Sequence, residues 1–234
     1  MYLGPFIDAD GLIVITYINY GYFDYLFNFI KNMRMLNLPW KLCVVCIDRE
    51  SVQLCTTHSI ECVYLQLNKS LEFAQWNTEK FTDITYAKLD VITHVLNYKN
   101  VKRLLYVDTD IWIYKDFVPY LKKLPHSLYM QSDCNKPNQY DSNACTGFMY
   151  ILNNVASRTL FKYNHDQPKH SSDQYYVNQK MKQLKIPCIQ LDRNLFPNGI
   201  YRKNVPQNAF ILHYNYIVGN DKRICMKENN HWLP

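Results

Sequence analysis

No stretch of this 234-residue chain approaches the ~20 consecutive apolar residues that a membrane-spanning helix needs. The N-terminus has neither the basic start nor the long apolar core of a secretory signal. Taken as a whole chain, it is expected to be soluble and cytoplasmic; a removed anchor or a Golgi-type context stays open. Glycine is scarce, at six residues, and neither a Gly/Ser/Pro linker nor an internal repeat divides the sequence. Basic runs are missing as well. The net charge of +6 is spread over short groups such as Lys122-Lys123 and Lys222-Arg223. With no zinc-finger or RNA-recognition signature, a nucleic-acid partner is not expected. A dispersed positive field suits a phosphate-bearing small molecule instead.

What is present points to one globular α/β unit. Hydrophobic residues make up 48% and charged residues 20%, which argues against disorder. Tyrosine is overused, with 20 copies, and its large ring with a polar tip suits pocket walls as well as cores. Eight cysteines could pair as disulfides, but a chain of this length does not need such staples and shows no secretory signal. Cys43 and Cys46 have C-x-x-C spacing but fall within a strand-like run, where residues three apart face opposite ways. They are therefore expected to be buried, reduced thiols.

β-branched apolar runs at 12–17, 42–47, 62–67 and 101–107 read as strands. Between them, residues 20–36 and 81–98 carry apolar side chains at helical spacing, and 48–59 do so weakly. Strands alternating with helices predict a mixed, mostly parallel sheet flanked by helices. Further strands are expected at 111–114, 127–131, 147–152 and 210–213, and helices at 153–163 and 172–184, followed by an irregular tail. The expectation is a single domain over 1–234, with a nucleotide-binding half to about 110 and a sugar- and acceptor-binding half from 111.

Chemistry concentrates at two places. The strand at 101–107 runs into Asp108-Thr109-Asp110. Ligands of open α/β sheets bind at the carboxyl ends of strands. Two carboxylates expected at a solvent-facing strand end can turn toward one hard cation, Mn²⁺ or Mg²⁺, that bridges a diphosphate. An acidic turn after a strand is the bland alternative. About a hundred residues later comes His213, followed by Gly219 and Lys222. Imidazole ligates borderline cations, glycine lets backbone amides approach phosphate, and lysine offers a point charge.

Taken together, these segments resemble the GT-A (Rossmann-like) nucleotide-diphospho-sugar transferases, above all the retaining families 77 and 8, which include glycogenin, bacterial galactosyltransferases and plant xylosyltransferases. The resemblance runs along most of the chain. Thr16 and Tyr17 match the first-strand end beside the nucleoside base. Lys88 matches the basic residue next to the donor, and Asp108 with Asp110 the metal-binding D-x-D. Gly147, after Thr146, matches the sugar-side segment, and Asp173-Gln174 the D-Q at a helix start near the reaction centre. A further family-77 segment matches 196–199. His213, Gly219 and Lys222 match the metal- and phosphate-binding tail, with a longer spacer that favours family 77. One departure is Cys145, where the family has a sugar-side asparagine; Asn143 lies nearby.

The resemblance implies a metal-dependent transferase. Asp108, Asp110 and His213 hold Mn²⁺ (or Mg²⁺), and the donor is a nucleotide sugar, a UDP-sugar by preference. The acceptor is a glycan, glycoprotein or lipid-linked hydroxyl. Thr16, Tyr17, Lys88, Asp108, Thr109, Asp110, Asp133, Gly147, Gly219 and Lys222 contact the donor; Gln174, Asp173 and Lys88 act in catalysis. Trp76, Trp112 and Trp232 are further stacking candidates, with Trp112 read as core. His94 is read as structural, and His58, His126, His165 and His170 have no assigned partner. A silent nucleotide-sugar binding module and a haloacid-dehalogenase-type phosphatase are the competing readings; the latter's motif lies near the N-terminus and lacks a tryptophan where Trp112 stands.

Overall fold

The computed structural model describes residues 2–67, 73–74, 78–136, 143–166, 169 and 171–234. Trp76 and His170 lie outside the described residues.

The chain opens with β1 (Leu12–Ile18), α1 (Phe23–Met35), β2 (Leu42–Cys46), α2 (Arg49–Thr57), β3 (Cys62–Tyr64), α3 (Glu79–Leu96) and β4 (Arg103–Val107). It continues through β5 (Ile111–Ile113), α4 (Val118–Lys122), β6 (Leu128–Ser132), β7 (Ala144–Leu152), α5 (Val155–Phe161) and α6 (Asp173–Leu184). The described elements end with β8 (Ile189–Gln190), β9 (Ile211–His213) and α7 (Gly219–Glu228). Seven strands form one sheet in the order β3-β2-β1-β4-β7-β6-β8, and β5 pairs with β9 in a separate two-stranded sheet. The pairs β1–β2, β1–β4, β2–β3 and β6–β8 are parallel, while β7 runs antiparallel to β4 and β6. This is an α/β fold with a central mixed sheet flanked by helices, consistent with a GT-A (Rossmann-like) transferase fold.

Strand alternation divides the core between the two faces. Ile13, Ile15, Leu104, Tyr106, Met149 and Ile151 pack on one side, in the cluster that includes Leu89 of α3, Leu160 of α5 and Val177 of α6. Leu12, Val14, Leu105, Val107 and Phe148 pack on the other, with Phe29 of α1. A sheet covered on both faces explains why its strands read as continuous apolar runs. Helix starts follow capping chemistry. Asp48, Thr78, Asn154 and Ser172 each accept a hydrogen bond from a first-turn amide of α2, α3, α5 and α6.

Four expectations needed correction. The third strand spans three residues rather than six, because β3 is a short edge strand that, among the described residues, pairs with β2 alone. The strand expected at 111–114 leaves the main sheet to pair with β9. The tail after His213 is not irregular throughout but holds α7, whose polar composition hid its periodicity. The acidic strand end is not uniformly solvent-facing either: Asp110 is buried, and Asp108 is only half-buried.

Candidate active site

From β1 the chain adds β2 and β3 on one side and then β4 on the other, so a crevice opens at this switch point, where β1 and β4 end. A cleft of about 620 Å³ lies there, a size suited to a small-molecule ligand. It is lined by Tyr17, Lys88, Asp108, Thr109, Asp110, Asp133, Gly147, Asp173, Gln174, His213, Gly219 and Lys222. The structure thus brings together every candidate donor-contacting or catalytic residue except Thr16. That residue is fully buried within β1, its hydroxyl has no hydrogen-bond partner among the described residues, and the neighbouring Tyr17 reaches the cleft instead.

Sheet register builds the acidic centre. The Asp108 amide donates to the Gly147 carbonyl (2.8 Å), which extends the β4–β7 ladder by one residue and places Asp108 beside Gly147. β5 then turns away, and its pairing with β9 sets Ile111 opposite His213. His213 Nε2 consequently lies 3.1 Å from Asp110 Oδ1 and 3.9 Å from Asp108 Oδ2. One ligand atom from each of the three residues lies within 4.8 Å of the others. A Cβ on residue 147 would fall 2.5 Å from Asp108 Oδ2 and 2.3 Å from His213 Cε1, so only glycine leaves room for this meeting. Two carboxylates and one imidazole form a donor set suited to Mn²⁺. The set fits a divalent cation.

The imidazole is held from behind. Gln131 Nε2 donates to the carbonyls of Phe196 (3.0 Å) and Pro197 (2.9 Å), which turns its Oε1 toward His213 Nδ1 at 2.7 Å. Nδ1 therefore carries a proton, and Nε2 points at the carboxylates, the usual way an outer partner aims a ligating histidine. Burial alone would lower the His213 pKa, but the adjacent Asp110 overrides it and raises the value to about 10. Burial likewise opposes the Asp110 charge, yet Lys222 and His213 hold its carboxyl well below the usual range. Lys222 Nζ pairs directly with Asp110 Oδ2.

Lys88 occupies the opposite wall. It rises from α3, is nearly fully buried, and sits 3.4 Å from Asp108 Oδ1 and 3.2 Å from Asp173 Oδ2. Burial lowers its pKa, but Asp108 and Asp173 outweigh that effect and keep it firmly protonated. Asp173 opens α6 and also accepts from Thr146 Oγ1 at 2.8 Å. Asn178, one turn into α6, pinches both the amide and the carbonyl of Ala144, which locks the helix start against β7. Next to Asp173, Gln174 donates to Asp133 Oδ2 at 2.8 Å. Asn143 also donates to that oxygen, and Asn215 donates to the other at 2.8 Å. Asp133 is thus a carboxylate fixed by three amide groups.

Sequence reading missed Gln131, Asn215, Tyr216, Tyr22 and Tyr25. All but Gln131 line the cleft. Asn215, two residues past His213, had a legible signal, since alternate positions face the same way along an extended segment. Gln131 had none, because its partners arrive from 65 and 66 residues away. Cys145, where the family has asparagine, lines the cleft 3.8 Å from both His213 Nδ1 and Asn215 Nδ2. The other stacking candidates lie outside it: Trp112 stacks on His231 in the core, and Trp232 meets Tyr25 edge-on. His94 bonds to its own helix at the Asp90 carbonyl, and His165 pairs with the Asp90 carboxylate.

An α/β sheet with carboxylates and an imidazole at its carboxyl edge is the class of fold that binds phosphorylated ligands beside a divalent cation. Residues 39–226 match the nucleotide-diphospho-sugar transferase family model, and the chain belongs to that family. This removes the phosphatase alternative. The chain is 22% identical to the beta-arabinofuranosyltransferase RAY1 of Arabidopsis thaliana over 93% of its own length and 46% of that protein. It therefore spans about half the length of this curated relative. Among solved structures it is similar to the glycosyltransferase GlyE of Streptococcus pneumoniae TIGR4, with TM-score 0.56 and 16% identity over 92% of this chain and 59% of that one. It is also similar to the galactosyltransferase LgtC in complex with donor and acceptor sugar analogues, with TM-score 0.58 and 10% identity over 94% and 96% of the two chains. A glycosyltransferase involved in glycosylation of the major capsid of PBCV-1 gives TM-score 0.53 and 12% identity over 94% and 98%. These structural likenesses carry the fold. Family and fold together point to a glycosyltransferase enzyme. Among the described residues no helix is long and apolar enough to cross a membrane.

Proposed function

We propose that this chain transfers a sugar from a nucleoside-diphosphate donor, a UDP-sugar, to a hydroxyl of a glycan, glycoprotein or lipid-linked acceptor, with retention at the sugar carbon. On this reading it stands with the retaining families 77 and 8. It forms one domain in which residues 1–110 hold the nucleotide and 111–234 hold sugar and acceptor. The observation that carries the reading is the meeting of Asp108, Asp110 and His213 over Gly147 inside the cleft.

Asp108, Asp110 and His213 would hold Mn²⁺ or Mg²⁺. When bound, such a cation neutralises the charge that builds on the departing diphosphate. Tyr17 forms the wall on which the base rests, with Thr16 behind it, and Thr109 and Gly219 border the diphosphate. Lys222 is anchored on Asp110 by its ammonium, already beside the phosphate position. Lys88, fixed as a cation by Asp108 and Asp173, adds a second positive charge. Preorganised charges of this kind each contribute on the order of a hundredfold or more to rate. Asp173 and Gln174 face the sugar from the rigid start of α6, and Asp133 offers a fixed acceptor for a sugar hydroxyl. Such positioning lowers the entropic part of the barrier.

The test is a panel of nucleotide sugars assayed for metal-dependent hydrolysis and transfer. Release of nucleoside diphosphate with Mn²⁺, abolished by EDTA, is the expected result. Donor binding without turnover across the whole panel would instead favour the silent binding module, the reading that Cys145 in the sugar-side position supports.

A further inference from the structure

A second cluster of ligand-type side chains lies apart from the cleft, at the edge of the sheet where β3 is added. β2 contributes Cys46, α2 contributes Cys55 and β3 contributes Cys62. Local geometry explains their meeting. Asp48 caps α2, and Ser59 adopts a left-handed conformation (φ 53°) that ends the helix and turns the chain back. The Ile60 amide then donates to the Cys55 carbonyl at 2.8 Å, and the parallel register places Cys62 opposite Val44. Cys62, Val44 and Cys46 therefore share the face of the sheet that α2 covers. Cys43, three residues before Cys46, packs on the other face.

The three sulfur atoms all lie within 4.8 Å of one another, and Cys46 Sγ is 3.6 Å from Cys55 Sγ. A tetrahedral thiolate site with bonds of ≈ 2.3 Å spaces its sulfurs roughly 3.8 Å apart. Cys46 and Cys55 are buried among apolar neighbours, while Cys62 is half-buried at the sheet edge. Two thiols thus lie deep, and the third lies toward the sheet edge. Thiolates are soft ligands that select thiophilic cations over the hard ions favoured by carboxylates.

We propose that Cys46, Cys55 and Cys62 form a binding site for a thiophilic divalent cation, Zn²⁺ in its natural form. The cation clips β3 and α2 to β2. A site present only in the folded chain makes its binding energy part of folding energy. The clip secures the short edge strand from which the chain proceeds to Phe73 and Ala74 in the cleft wall.

Cd²⁺ reads the site directly, because only thiolate ligands give its ultraviolet charge-transfer band. Titration of the reduced full chain should develop that band to saturation at one equivalent and raise the thermal midpoint. Cys62→Ser and Cys55→Ser should each weaken Cd²⁺ at least about tenfold, since even loss of a partner outside the ligand shell costs ~10–100-fold. Cys43→Ala and Asp110→Ala should leave the band unchanged. The proposal is overturned if the wild-type chain shows no band at one equivalent, or if the band survives Cys62→Ser. It is equally overturned if the only event is oxidation of Cys46 and Cys55 to a disulfide while Cd²⁺ leaves spectrum and midpoint untouched. Because the wild-type titration needs no variant, a misfolded mutant does not blunt the test.

Discussion

Two histidines, the buried His213 and the half-buried His231, lie on or against the small β5–β9 sheet, and they are pushed in opposite directions. His213 faces the cleft; burial would lower its pKa, but Asp110 at 3.1 Å raises it to about 10. His231 packs on the other side, stacked on Trp112 with ring centroids 4.6 Å apart, and bonds the hydroxyls of Tyr214 and Tyr114. Among the described residues no charged group shifts it, and burial lowers its pKa to about 4. Burial is common to both, so the difference comes from the partner. One side of the sheet is wired by charge; the other is quiet scaffolding. That contrast marks the functional face without reference to any relative.

The contrast breaks most severely at Asp110. Asp110→Ala should reduce transfer by about 10³-fold or more and also lower the thermal midpoint, because it strands His213 and Lys222 as buried charges without their partner. Asp108 is more exposed, so Asp108→Ala should match that loss of transfer with a much smaller change in midpoint. Turnover with Mn²⁺ and thermal denaturation of the two variants, measured in parallel, check both halves. Equal destabilisation by the two would mean that burial does not separate the carboxylates.

One step outward, Gln174→Ala removes a group that touches Asp133 and the Thr146 amide but none of the cation ligands. Turnover at saturating donor should fall by about tenfold or more while nucleoside diphosphate affinity holds, as expected for a group acting in the transition state. Unchanged turnover in a folded variant would move the reaction centre away from α6.

The smallest effect belongs to the quiet side and shows only in stability against pH. His231 has a folded pKa below the unfolded value of about 6.5. The unfolded chain therefore binds more protons between pH 6.5 and about 4, and stability drops as pH falls through that window. In the cation-free protein His213 does the reverse. Its stabilisation is complete below pH 6.5 and is lost as pH rises toward about 10. Thermal midpoints against pH should show His231→Gln flattening the acid arm alone, with turnover near neutral pH little changed. His213→Gln should flatten the alkaline arm and abolish transfer.

Much of this was readable from the chain, for identifiable reasons. The strands at β1, β2 and β4 are covered on both faces, so burial wrote itself as unbroken apolar runs. Asp108, Asp110, His213 and Lys222 could be named because their residue types match a spaced pattern. What escaped depends on contacts between distant segments. β5 looked like any other strand until β9 claimed it from about a hundred residues away. The burial of Asp110 follows from that pairing and from Lys222, so no local rule could have supplied it. α7 escaped for a different reason: its ten residues bury only Met226, too little to leave a helical stripe. The thiol cluster needed three elements and a left-handed turn before its members met.

The Asp110–Lys222 contact joins residues 112 positions apart, and this has a bearing on the order in which the molecule is made. Closing a loop of that length costs entropy before any contact rewards it, so such contacts form late relative to local ones. A growing chain that has reached Asp110 already holds Lys88, the partner of Asp108, but lacks His213 and Lys222, the partners of Asp110. Completion of the candidate site is therefore expected late in folding, after β9 and α7 have joined the earlier strands.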